Sequence, residues 1–279
     1  MKKIVASFAV ILGLAACAGP GGMGPGGGLM YQVPDNPTVV YLTGDTTNID
    51  IDAGAMGSFQ MRGTGTSTMA VAFSRGAEGV QVTATFQELN ARLTQPMGGA
   101  QSVTEADVEG DIVFTLDDRG HSTAVSMPEV RGVADQLANP QALVHEFFPI
   151  LPGGPVSPGD SWTDTLSYAV QTDQGDTEST SVMTYTLQGD TVVDGRTLLH
   201  ITMTGSADVR GSGVQEGMEV IQTISGGIEG TILWDAARSL YVSGYFERDM
   251  DGSVEVPAAG MPPMPMTLTG RSHVKLQES

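Results

Sequence analysis

Along most of this chain apolar residues recur at every second position, and that period restricts the fold more than any other feature of the sequence. In Ser67 to Ser74, Met69, Val71 and Phe73 alternate with Thr68, Ala70 and Ala72, which sends one set inward and the other outward along an extended strand. Val80, Val82, Ala84 and Phe86 repeat the pattern. After Glu88 the large residues move to Leu89 and Leu93, a change of phase by one residue that would turn every later side chain over. The sequence therefore predicts a bulge between Gln87 and Leu89. Further strands are predicted at Asp111 to Leu116, Ser122 to Met127, Trp162 to Gln171, Ser179 to Gln188, Thr197 to Thr204, Val214 to Ile224, Gly230 to Trp234, Leu240 to Arg248 and Met266 to Leu276. Asp117-Asp118-Arg119-Gly120, Asp194-Gly195 and Asp251-Gly252 read as the turns between them. The 37 glycines in 279 residues, against a usual share of roughly 7%, fit a chain of strands and tight turns.

One helix is predicted, at Pro140 to Phe148. Asn139 is a suitable N-cap, Pro140 occupies a first-turn position where its missing N–H costs nothing, and Pro149 and Pro152 end the segment. Leu143, Val144, Phe147 and Phe148 give it an apolar stripe, extended upstream by Val133 and Leu137, that should lie against a sheet. On either side the sequence resembles itself. Ser67-Thr68-Met69 followed by Gly79 matches Ser181-Val182-Met183 followed by Gly195, and Val108 to Val113 matches Ile228 to Leu233. The offset grows slowly, as small loop insertions would make it, so the chain reads as a duplicated meander of about 115 residues. The expected architecture is all-β and mainly antiparallel, with long twisted strands in a curved sheet or half-barrel around the helix, two packed sheets being the alternative.

The first 16 residues read as an address. Met1-Lys2-Lys3 is a short basic region, Ile4 to Leu14 is apolar, and Leu14-Ala15-Ala16-Cys17 closes the segment, which resembles a bacterial lipoprotein signal. That resemblance implies cleavage between Ala16 and Cys17 and a diacylglycerol on the Cys17 thiol. Ala18, standing where an aspartate often retains such proteins in the inner membrane, implies outer-membrane attachment facing the periplasm. Ile4 to Ala16 is too short for a membrane-spanning helix, which needs about 20 apolar residues. Residues 17–37 read as a lipidated Cys and a Gly/Pro-rich tether, 38–130 as a first β half, 131–160 as helix and connector, and 161–279 as a second β half. Removal of residues 1–16 takes the formal charge from -19 to -21, so acyl chains and not attraction to anionic headgroups would hold the protein to a membrane. The same charge excludes a nucleic-acid binder. A single Cys forms no internal disulfide and no Cys-based zinc site.

Phe148-Pro149-Ile150-Leu151-Pro152 through Pro155-Val156-Ser157-Pro158-Gly159-Asp160-Ser161-Trp162 resembles a segment of a family of uncharacterised bacterial lipoproteins, duplicated and all-β, in which a proline-rich stretch, a Gly-Asp turn and a Trp introduce the second half. The resemblance brings no activity with it. Gly159-Asp160-Ser161 also resembles the opening of a Gly-Asp-Ser esterase, yet Ser161 lies past mid-chain and no aspartate precedes His273 at the required spacing. His145-Glu146 begins a zinc-peptidase pattern, but Pro149 stands where the second histidine belongs. Gly19, Gly21 and Gly24 spell a dinucleotide-loop pattern with no strand before it. Asn48, Asp50 and Asp52 alternate as in a calcium loop, but the glycine falls late and Phe59 occupies the twelfth position. Asp107, Glu109 and Asp111 read as the solvent side of a strand. Met261, Met264 and Met266 offer soft thioethers to Cu(I), or an apolar loop at a sheet end. The leading expectation is a non-enzymatic periplasmic lipoprotein, without a cofactor, that binds a lipid-like apolar ligand. An envelope scaffold that binds another protein is the alternative, and Met-based copper handling a further one.

Overall fold

The alternating segments pair into strands longer than their apolar cores. The computed structural model describes residues 29–77, 79–95, 99–131, 140–172, 175–215, 218–260 and 262–277. Its strands are β1 (Thr38–Asp52), β2 (Ser58–Arg75), β3 (Val80–Gln95), β4 (Gly99–Thr104), β5 (Val108–Glu109), β6 (Ile112–Leu116), β7 (Ser122–Ser126), β8 (Glu129–Val130), β9 (Ser161–Thr172), β10 (Gly175–Val193), β11 (Arg196–Gln215), β12 (Met218–Asp235), β13 (Leu240–Glu255) and β14 (Met264–Gln277). Helix α1 spans Pro140–Glu146.

All the strands except β5 and β8, which form a separate two-stranded ladder, belong to a single antiparallel sheet of 12 strands in the order β7-β6-β3-β2-β1-β14-β13-β12-β11-β10-β9, with β4 on the far part of β3. The two halves are thus one continuous sheet. Each is a meander, and β1 joins them by pairing with β14 from Val40↔Gln277 to Ile51↔Met266. The sheet is open, with β7 and β9 as its terminal strands among the described residues.

The predicted bulge is present. Thr68 lies opposite Glu88 but Met69 lies opposite Phe86, so Gln87 is the extra residue. It restores the phase: Phe86 and Leu89 both face the packed side, and Leu89 is buried with Ala91 and Val103 in a small satellite core. The Asp194-Gly195 hairpin is also as expected, with φ of 50° and 78° at the two residues.

Other readings are corrected. Asp251-Gly252 is no turn but part of β13, because a Cβ at residue 252 would stand 2.1 Å from the Thr223 carbonyl oxygen; the glycine admits a neighbouring backbone, not a reversal. Val214 to Ile224 is not a separate strand. Val214 belongs to β11, and β12 runs unbroken from Met218 through Trp234, its glycines placed within the ladder. Asp107, Glu109 and Asp111 do not share a strand face: Asp107 accepts a bond from the Thr104 N–H at 2.9 Å in a 3-10 turn, Glu109 is in β5, and Asp111 precedes β6. Asn48, Asp50 and Asp52 lie along one face of β1. The upstream part of the predicted helix, with Val133, Leu137 and Asn139, lies outside the described residues.

The main core collects Tyr41, Met69, Val71, Val82, Phe114, Ile201, Ile232 and Trp234 from the inner face of the sheet and closes over them with Val144 of α1, Phe147, Phe148, Ile150 and Leu151. Phe148 sits at the centre, with edge or tilted ring contacts to Tyr31, Tyr41, Phe73, Phe114 and Phe147 at 4.9 to 6.3 Å. Leu29 and Tyr31 complete this end, the Tyr31 hydroxyl donating to the Pro149 carbonyl at 2.6 Å. Further along the same face lies a second cluster without an aromatic ring among its buried members, Ala207, Ile224, Met250 and Met266. Beside it Gly205, Gly226 and Gly252 step diagonally across β11, β12 and β13, two residues per strand. A Cβ at any of the three would come within 2.3 Å of a neighbouring strand's carbonyl oxygen. These glycines let the sheet coil tightly on itself.

Candidate functional site

Two places hold concentrated polar chemistry. The first is the seam where the two terminal strands approach each other. Leu116 and Ser122 bracket a tight turn in which Asp117 accepts from the N–H groups of Arg119 and His121, both at 2.9 Å, an arrangement that aspartate favours because its short side chain reaches the following backbone. This turn points Arg119 and His121 across the gap to β9. Arg119 Nη2 pairs with Asp164 Oδ2 at 2.7 Å, and its Nε donates to the Leu151 carbonyl at 3.3 Å. The His121 ring lies between two carboxylates, Nδ1 at 2.9 Å from Asp117 and Nε2 at 3.2 Å from Asp164. Burial alone would push His121 down, but its bonds to Asp117 and Asp164 and their charges outweigh it and raise the imidazole above its ordinary value. Burial likewise opposes ionisation of Asp117, and the bonds from His121 overcome it, so that carboxyl is lowered.

The seam continues along α1. Ser122 Oγ lies 3.2 Å from His145 Nδ1, the His145 ring stacks on Tyr168 of β9 at 4.9 Å, and the Tyr168 hydroxyl donates to Glu146 at 2.6 Å. Arg248 reaches Glu146 and, on β1, Asp45, both at 3.9 Å. Burial lowers His145 below the ordinary histidine value, against an opposing pull from Glu146. Ser122 and His145 resemble two of the three members of a hydrolytic triad, but His145 stacks flat on a tyrosine and the neighbouring carboxylate is bonded to that tyrosine instead of to the imidazole. No orienting group completes the arrangement among the bonds of these described residues. Side-chain bonds therefore join the edges of the sheet where no ladder does.

The second place is a groove on the opposite, outward face, with a volume of about 950 Å³. Its side chains come from strand positions of the other parity: Thr46, Arg271, Glu247, Glu229 and Thr204 form one cross-strand row. Basic groups, Arg62 and Arg271, stand on the β2 and β14 side, while Glu229, Glu247 and Asp249 stand on the β12 and β13 side. Arg271 Nε meets Glu247 at 2.9 Å on the dividing line, and Tyr245, 43% exposed, donates to the same carboxylate at 2.7 Å.

Of the residues singled out in the sequence, His145 and Glu146 lie in the seam and Asn48 lines the groove, and the rest converge on neither place. Leu14, Ala15, Ala16, Cys17 and Met261 lie outside the described residues. Met264 and Met266 open β14, and Met266, 2% exposed, is packed in the second cluster, its sulfur accepting a bond from Gln222 at 3.3 Å. Ser161 begins β9 and shares a hydrogen bond with Thr186 at 2.8 Å, and Trp162 stacks on Tyr185 with its indole N–H donating to the Ile150 carbonyl at 3.0 Å. Among the described residues no group of three or more His, Cys, Asp or Glu side chains is arranged to hold a metal, and no helix is long and apolar enough to cross a membrane. Arg119 was read only as a turn residue, and neither His121 nor Asp164 was placed at a site. The only local signal was the turn sequence, because Asp164 is 43 residues from His121.

No protein-family model and no curated protein matches this chain. Among solved structures it shows a likeness to OccK8 (OprE) of Pseudomonas aeruginosa at 9% identity, covering 89% of this chain and 100% of that one. The TM-score is 0.24, too low to carry an argument.

Proposed function

We propose that this protein is a non-enzymatic envelope lipoprotein, held to the membrane through acyl chains on Cys17, that acts as a scaffold and takes a segment of a partner protein in its outward groove. The observation that carries the scaffold reading over an apolar-ligand carrier is the placement of open volume. The inner face at the α1 end is occupied by Phe147, Phe148, Ile150 and Leu151 of the chain itself, whereas about 950 Å³ lies on the opposite face among charged and hydroxyl side chains. A lipid-sized ligand needs roughly 300 to 1,000 Å³ of largely apolar space. A groove basic along one wall and acidic along the other suits a polypeptide, which can carry both signs of charge along its length.

The test is native mass spectrometry on residues 18–279 exported to the periplasm and purified without detergent, together with photo-crosslinking in cells from position 269 in the groove and from position 182 on β10 as a control. The scaffold reading expects an apo mass, and a discrete protein adduct from 269 that disappears with Glu229→Lys plus Glu247→Lys. A stoichiometric lipid mass that solvent extraction removes would instead establish the carrier. Cys17→Ala should release the protein from the membrane fraction, and continued acylation of that variant would contradict the anchor.

A further inference from the structure

We propose that the seam between β9 and the β6–β7 turn is a pH-governed clasp, closed while His121 is protonated and loosened when it is neutral. Among the described residues no ladder joins the terminal strands: backbone bonds hold the β6–β7 turn to Tyr31 and Leu151, at 2.9 and 2.8 Å, and side chains bridge it to β9 itself. His121 stands at the centre of that bridge with one carboxylate on each ring nitrogen. A protonated imidazole donates from both nitrogens and serves both carboxylates. A neutral one keeps a single N–H and turns a lone pair toward the other carboxylate, so one attraction becomes a repulsion. Asp164 is only 13% exposed, which limits how far water can replace the lost partner.

The charged and titratable groups around His121 are Asp117, Asp118 and Arg119 of its own turn and Asp164 of β9. His145 and Glu146 of α1 lie one step along the seam through Ser122 and Tyr168. The Arg119 guanidinium bonds Asp164 at 2.7 Å independently of the imidazole, so the clasp loosens without releasing β9 altogether. The sign follows from the direction of each shift. Histidine is raised on folding, so its contribution is complete below the ordinary histidine range and is lost as pH rises through the folded value. Asp117 is lowered, so its contribution is present above the ordinary carboxylate range and is lost as pH falls through the folded value. The seam is tightest between those limits, in mildly acidic solution.

Hydrogen–deuterium exchange of residues 18–279 at pH 6.0 and pH 8.5, corrected for the intrinsic pH dependence of exchange, reads the clasp directly. Peptides covering β9 and α1 should lose roughly five- to tenfold protection on going to pH 8.5, while peptides in the middle of β12 should not change. His121→Gln, which carries no charge at either pH, should remove the pH dependence and hold β9 in the less protected state throughout. Asp164→Asn tests the same bond from the other side, and should weaken the response. Unchanged β9 protection in the wild type, or an equal pH response in His121→Gln, would overturn the proposal. Should His121→Gln fail to fold, the wild-type profile and Asp164→Asn decide it.

Discussion

The α1 end and the far end of the sheet bury the same face by opposite means. At the α1 end the chain adds material: a helix, Phe147, Phe148 and the ring of Tyr31 fill the space beneath the strands. At the far end it removes material, leaving Gly205, Gly226 and Gly252 so that the sheet closes over Ala207, Ile224, Met250 and Met266 without a covering α-helix among the described residues. A filled end should suffer most from lost volume, and a creased end from gained volume.

Graded substitutions sharpen or break that contrast, read by urea denaturation. Phe148→Ala removes the ring on which five others converge and should cost about 3–5 kcal/mol, the largest effect. Gly252→Ala sets a Cβ 2.1 Å from the Thr223 carbonyl oxygen, which belongs to backbone and cannot swing aside, and should cost about 3 kcal/mol. Met266→Ala should cost about 2 kcal/mol, at the low end for such a truncation because an uncovered sheet can collapse into the space. Were Met266→Ala worse than Gly252→Ala, the crease would be the wrong description of the far end. The smallest effects belong to two tyrosines at the filled end. Tyr41→Phe loses a 2.8 Å bond to the Tyr241 carbonyl and should cost about 1 kcal/mol. Tyr241→Phe removes a buried hydroxyl that has no partner among the described residues, and should leave stability unchanged or raise it by about 1 kcal/mol.

What the sequence makes legible is what local periodicity and turn chemistry decide. The phase change after Glu88 placed the bulge at Gln87, and Pro140 with the stripe through Phe148 placed the helix and the rings that fill the core. Asp251-Gly252 misled because a glycine admitted by a neighbouring backbone carries the same letters as a glycine that turns the chain; only the register of β12 against β13 separates them. The seam was hidden for a related reason. Asp117 and Arg119 read as turn residues and Asp164 as one polar residue of a strand, and their meeting depends on how far a sheet of 12 strands curls before it ends. The outward groove was equally silent, since Glu229, Glu247 and Arg271 are what any solvent-facing strand would show. The sequence-based expectation of an apolar ligand rested on a concave face, and the helix that the same reading had recognised fills one end of that face.

The pairing of β1 with β14 also sets an order of events. Each meander closes through hairpins between neighbours in sequence, but the ladder from Val40↔Gln277 to Ile51↔Met266 joins residues more than two hundred positions apart. Such a contact carries a large loop-closure entropy and forms after the local ones. Until β14 has docked, β1 and β13 each present an unpaired edge, and the two half-sheets are separate, adhesive bodies. Assembly of this protein is therefore slowest at its last strand, and in that interval it most needs protection from its own copies.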